Sequence, residues 1–172
     1  MAGIRVLADE HIKFTILTAK PANPAAPTAA ELNAGIDASC LVLADNFQWS
    51  AADSERVGER DLCEATAAAS PGIGNYNLGF SYWRWFDSTT GAADATTDLI
   101  HPAVKEKGTS LWGYVRRTGK ELSAAWAASD EIQLGGEFVT DTPQAPDGSG
   151  FIKYTLPCMA QTMHDFITVA AA

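Results

Sequence analysis

Residues 75–86 read NYNLGFSYWRWF, and no other segment limits the fold as sharply. In an extended chain, alternate side chains point to opposite faces. Tyr76, Leu78, Phe80 and Tyr82 therefore share one face, while Trp83 and Trp85 lie on the other with Arg84 between them. A strand carrying aromatic side chains on both faces needs cover on both. The fold must supply more than one layer against it.

Further strand patterns surround this one. Residues 12–17 (IKFTIL), 37–43 (DASCLVL), 47–50, 110–117 (SLWGYVRR), 132–140 (IQLGGEFVT), 151–158 (FIKYTLPC) and 166–169 are extended candidates. The Gly135-Gly136 pair predicts a bulge. One helix is expected over residues 96–107. Thr96 or Thr97 caps it, Leu99, Ile100, Ala103 and Val104 form its apolar stripe, and Gly108 ends it. Pro102 lacks an N–H and divides this helix into an early turn and a second short one. About eight strands and one helix, joined mostly by turns, make a mainly β chain: an antiparallel β-sandwich or barrel with one flanking α-helix.

Two stretches do not read as core. Residues 20–30 (KPANPAAPTAA) carry Pro21, Pro24 and Pro27, which lock an extended path and cannot donate to a ladder. With so little chain before it, this stretch is expected to be an extended N-terminal arm lying along a neighbour; a plain linker is the other reading. Residues 45–74 form a long acidic loop. Asp45, Asp53, Glu55, Glu59, Asp61 and Glu64 face only Arg56 and Arg60, a local net charge of −4. The segment is expected to order on a partner subunit, with Lys105, Lys107, Arg116, Arg117 and Lys120 as the complement. The whole chain, residues 1–172, is read as a single domain, with residues 1–35 as N-terminal strand plus arm and residues 45–74 as the loop.

The charge balance narrows the function. Twelve Lys and Arg stand against 21 Asp and Glu, a net charge of −9, which repels nucleic acid. Cys40, Cys63 and Cys158 form no CxxC pair and are expected as reduced, mostly buried thiols. Charged residues interrupt every apolar run near the N-terminus, so no secretory leader is expected, and no apolar run is long enough to span a membrane. The chain is expected to stay inside the cell that makes it or to leave by lysis.

His11, His101 and His164 stand far apart without a ligand spacing. His164 and Asp165, as neighbours on a strand, point to opposite faces. The carboxylate pairs Asp130 with Glu131, and Glu137 with Asp141, are expected on solvated surface. Gly72-Ile73-Gly74 precedes a strand, the wrong order for phosphate binding. No catalytic, cofactor-binding or metal-ligating residue is assigned, and the chain is read as no enzyme. Trp49, Trp83, Trp85, Trp112 and Trp126 are expected in core and interface packing; an aromatic shelf for sugars is the competing reading.

The segments PTAAELNAGIDASCLV (27–42), Leu62-Cys63, GNYNLGFSYWRWFD (74–87), VKEKGTSLW (104–112) and above all EFVTDTPQAPDGSGFIKYTLP (137–157) carry a resemblance. Over residues 12–160 the chain resembles the major tail proteins, or tail tube proteins, of long-tailed bacteriophages that infect actinobacteria. The resemblance implies a structural virion protein that assembles into hexameric rings stacked as a hollow tube. DNA would pass through the lumen without specific binding. Arms and long loops would join ring to ring, and tape measure, tail terminator and distal tail proteins would be its partners. It places the protein in the phage tail, made in the host cytoplasm. The alternatives are a carbohydrate-binding β-sandwich module or another virion part of similar fold, such as a tail terminator or a head decoration protein.

Overall fold

The computed structural model describes residues 3–59, 62–63, 68–146 and 148–171. Arg60, Asp61 and Glu64 of the acidic stretch lie outside the described residues. In chain order the elements are β1 (Ile12–Leu17), α1 (Ala29–Ala34), β2 (Ile36–Asp37), β3 (Gln48–Ala52), β4 (Arg56–Glu59), β5 (Ala68–Pro71), β6 (Asn75–Trp83), α2 (Ile100–Val104), β7 (Ser110–Arg117), β8 (Glu131–Thr140) and β9 (Lys153–Thr168). Seven strands form one antiparallel sheet in the order β2-β1-β7-β8-β9-β6-β3, and β4 with β5 forms a separate hairpin.

The large sheet folds over on itself because the aromatic faces of its two ends seek the same cover. Phe14 of β1 lies 4.8 Å from Trp49 of β3 and 5.4 Å from Phe80 of β6, between ring centroids. Residues 38–43 tie these ends together. Ala38 N–H donates to Phe14 O, Leu43 N–H to Ser81 O and Trp83 N–H to Leu41 O, at 2.8–3.0 Å. The sheet does not close into a barrel; the result is sandwich-like. The expected strand over residues 37–43 shrinks to β2. Asp37 Oδ1 accepts from Ser39 N–H and from Ser39 Oγ–H, which draws the backbone out of the ladder and into a turn.

Two expected strands, residues 151–158 and 166–169, are parts of one long strand. β9 pairs with β6 over its first half and with β8 over its second, and Cys158 stands opposite both Leu78 and Thr140. The register shift between Gly136 and Phe138 is the bulge that the glycine pair predicted. The expected helix over residues 96–107 is only five residues long. Asp94 Oδ1 takes the N–H groups of Thr96 and Thr97, which holds those residues in a turn ahead of the helix; α2 starts after Leu99 without a side-chain cap, so neither threonine caps it. Ile100 and Val104 are buried, but Leu99 of the expected stripe is exposed.

The proline-rich segment belongs to its own body. Pro21 and Pro27 are buried, Pro24 O accepts from Tyr114 Oη–H at 3.1 Å, and Pro27 O accepts from Ala170 N–H at 2.9 Å. The segment then enters α1, which begins with a capping box: Thr28 Oγ1 accepts from Glu31 N–H while the Glu31 carboxylate accepts from Thr28 N–H. Leu32 of α1 packs with Trp112, Tyr114, Trp126, Ile132 and Val169. This second apolar cluster lies on the opposite face of β7 from the main core.

Six consecutive residues of β7, Leu111–Arg116, are buried. Leu111 and Val115 join the main core, while Trp112 and Tyr114 join the second cluster. Gly113 leaves room for the Trp49 indole; a Cβ there would lie 2.4 Å from the indole Cζ2. Across the ladder Gly135 is covered by the Tyr114 ring, which would come within 2.2 Å of a Cβ. Arg116 is fully buried on the second face. Its guanidinium donates to Asp130 Oδ2 at 3.0 Å and to the carbonyls of Glu121 and Ala124 at 2.8 and 3.0 Å, and it lies over Trp126. Asp130, expected in solvent, is 6% exposed. Burial opposes its ionisation. The hydrogen bonds from Lys120, the Ala127 amide and Arg116 outweigh that and hold its carboxyl below the usual range.

Three outcomes follow from this packing. Gly113→Val drives two methyls into Trp49 and lowers stability by about 1–3 kcal/mol, measured by chemical denaturation. Asp130→Ala strands a buried guanidinium and costs about 3–5 kcal/mol. Because the folded-state pKa of Asp130 is depressed, its stabilisation is present above pH ~4 and fades as pH falls further, so the Asp130→Ala variant shows a flatter acid limb than the parent. Deleting residues 1–30 removes an interior strand and abolishes the cooperative transition, where a plain arm would leave it intact.

Candidate assembly surfaces

The residues that sequence reasoning weighed for chemistry are dispersed. His101 Nδ1 lies 2.9 Å from Tyr82 Oη, and burial together with Arg84 depresses its pKa. His11 Nδ1 lies 2.7 Å from the Asp9 carbonyl. His164 stands opposite Gly135, while Asp165 accepts instead from Tyr76 Oη–H at 2.8 Å, so the two neighbours do not act together. Glu137 accepts from Ser110 Oγ–H, and Asp141 pairs with Lys107 at 3.0 Å. Among the described residues no His, Cys, Asp and Glu cluster could hold a metal ion, and no helix is long and apolar enough to cross a membrane. Cys40 and Cys63 are exposed, not buried as expected. Cys158 is half-buried, and burial pushes its thiol up to about 12. Trp49, Trp112 and Trp126 are core residues; Trp85 is exposed.

The surface carries features that a lone subunit leaves unsatisfied. Residues 159–168 of β9 pair with β8 on one side, and no described strand lies on the other. This half is largely exposed, with Met159 54% and Phe166 72% accessible. Such an edge offers a free row of N–H and C=O groups beside apolar side chains. Sequence reasoning missed it because polar residues 161, 162, 164 and 165 hid the continuity of the strand.

The acidic stretch is not an irregular loop. β4 pairs with β5 in register from Arg56 opposite Pro71 to Glu59 opposite Ala68. The hairpin grows from the C-terminal end of β3 and the N-terminal end of β6, which pair with each other. It joins no other sheet, and Val57, Leu62 and Ile73 are exposed on or beside it. A lone two-stranded hairpin gains little stability from its own contacts. The basic complement expected for it is mostly committed elsewhere. Arg116 and Lys120 both bind Asp130, and Lys107 pairs with Asp141.

Two further apolar surfaces remain. Residues 3–10 are all exposed and include Ile4 and Leu7. Trp85, Phe86, Phe151 and Ile152 form an aromatic patch at the ends of β6 and β9. The second face of residues 75–86, expected to be covered, is therefore open at its far end: β6 stops at Trp83, and among the described residues Trp85 stays exposed.

An acidic β domain with an open strand edge, a projecting hairpin and exposed apolar segments is suited to joining copies of itself. A search of curated proteins finds no match. The family model described as phage tail tube protein matches residues 1–172. The match spans the entire chain, and the protein belongs to the phage tail tube protein family.

Proposed function

We propose that this structural tail protein closes into hexameric rings that stack into the hollow tail tube of a phage, and that DNA passes through the lumen without specific binding. The observation that carries the proposal is the open edge of residues 159–168 with its exposed Met159 and Phe166, which a neighbouring copy would complete around a ring. The β4–β5 hairpin reaches from the end of the subunit toward the next ring. An excess of nine acidic charges denies phosphates a counter-charge and suits a conduit for DNA. Tape measure, tail terminator and distal tail proteins are the expected partners along and at the ends of such a tube.

A sugar-binding module fits the surface less well. Trp83 and Phe151 meet at 89°, edge to face, and do not make the flat shelf on which a sugar ring stacks.

Electron microscopy of the purified protein at high concentration tests the proposal. Hollow tubes of stacked rings are expected, with seeding by phage tails where nucleation is slow. A monomer under every salt condition, inert to seeds, overturns it. Phe166→Lys changes an exposed side chain and leaves the subunit folded, yet it reduces tube formation at least tenfold by placing a charge on the closing edge. Hydrogen exchange checks the hairpin separately. Amides of β4 exchange fast in the free subunit and become protected in the tube; equal exchange in both states removes the hairpin from the contact.

A further inference from the structure

The aromatic patch lies outside both apolar clusters of the subunit. Cys40, Trp83, Arg84, Trp85, Phe86 and Phe151 line a hollow of about 440 Å³. Phe151 is 81% exposed and touches Trp83 edge-on at 5.8 Å. Arg84 runs beneath and is neutralised by Asp98, with Nη2 to Oδ2 at 2.9 Å. Lys153 sits over Trp83 on one side. Asp87 and Asp94 follow in the chain, held by a turn whose backbone bonds join Asp87 N–H to Ala92 O and Asp94 N–H to Trp85 O. Neither carboxylate forms an ion pair among the described residues; both accept only local N–H and hydroxyl groups. The patch is apolar, and the turn that continues from Phe86 and is bonded back to Trp85 carries two carboxylates without an ion-pair partner among the described residues.

Residues near the N-terminus of the chain have matching chemistry. Residues 4–7 read Ile-Arg-Val-Leu, three aliphatic side chains and a single positive charge at Arg5. Ile4 is 86% and Leu7 78% exposed, so the segment has found no cover on its own body. Its own path leads away beside the turn after β7, where Val6 lies close to Gly119.

We infer that the hollow formed by Trp83, Trp85, Phe86 and Phe151 receives residues 4–7 of a second copy of this chain, with Arg5 set between Asp87 and Asp94. Burying aliphatic side chains against aromatic rings supplies the attraction, and the pairing of one cation with two carboxylates fixes the direction of the inserted segment. The inference rests on the tube reading, because it names a contact between subunits of that assembly.

Photo-crosslinking tests it. A benzoyl-phenylalanine is placed at Leu7 in the full chain, and equal amounts of 14N- and 15N-labelled subunits are mixed and assembled. Mass spectrometry then locates the crosslinks, while microscopy of the same sample reports tube formation independently. Crosslinks joining light and heavy chains at residues 83–87 or 151–152 are expected. Trp85→Ala and Arg5→Glu should each lower their yield at least tenfold, and Arg5→Lys should retain most of it. Crosslinks confined to one chain, crosslinks at other residues, or none at all overturn the inference. Tubes with crosslinks elsewhere overturn this contact alone and leave the tube reading standing.

Discussion

The Trp49 indole packs against Gly113, and the rest of the subunit is arranged around that contact. β7 is buried on both faces, an unusual demand for an antiparallel strand, which commonly keeps one face toward water. On the main-core face the glycine lets an indole reach the strand itself, and this draws β3 and β6 over β1, β7 and β8. The contact outweighs a cost, since the Trp49 indole N–H has no partner among the described residues. On the other face no second sheet is available. The cover comes from the proline-rich segment, α1 and the residues around Trp126. The extended prolines thus work as a lid on β7. Their missing N–H groups are no handicap there, because the segment offers carbonyls to Tyr114 and Ala170 and needs few donors.

Alternation and bulge chemistry were legible wherever the packing is local to a strand. β1 and β7 lie over the residues that their alternation marks, and the bulge follows from Gly135-Gly136. What long-range contacts decide was not legible. Prolines at residues 21, 24 and 27 spell an extended path but not its destination. The Thr28–Glu31 spacing was the available signal for α1, and the prolines before it masked the helix start. Nothing adjacent to Asp130 in sequence announces Arg116, which reaches it across 14 positions. The hairpin escaped because Arg56–Glu59 and Ala68–Pro71 lack alternation and nearly lack β-branched residues. No single residue announced an assembling surface either: a free edge is a property of topology, and it shows only once the neighbours of β9 are known.

Charge is divided between two duties. The cations are drawn inward or into pairs: Lys13 with Asp37, Arg84 with Asp98, Arg116 and Lys120 with Asp130. Burying a guanidinium is costly unless its donors are met, and the Arg116 Nη1 and Nη2 groups meet one carboxylate and three carbonyls, while its Nε finds no partner among the described residues. These four cations use three acids as partners, since Arg116 and Lys120 share Asp130, and most of the 21 acids are left without such a partner among the described residues. The surface is therefore more uniformly acidic than the composition alone suggests. Copies of such a subunit carry like charge, so any assembly of them needs apolar and main-chain contacts to hold against mutual repulsion.

The elements that supply those contacts start from rigid points. Residues 3–9 leave the body at a tight turn, in which His11 N–H donates to Ala8 O and Glu10 takes a left-handed φ of 62°. The turn is fastened to β1, an interior strand, so the exposed segment departs from a fixed place in a fixed direction. The hairpin likewise springs from β3 and β6 where they are paired with each other. A flexible tether would spread its tip over a wide volume and weaken every contact it makes. An anchor fixed within the sheet keeps the effective concentration of the tip high at one site on the neighbour. The double burial of β7 therefore reaches beyond stability: by locking β1 beside it, the packed core sets where the outlying segments can meet another copy.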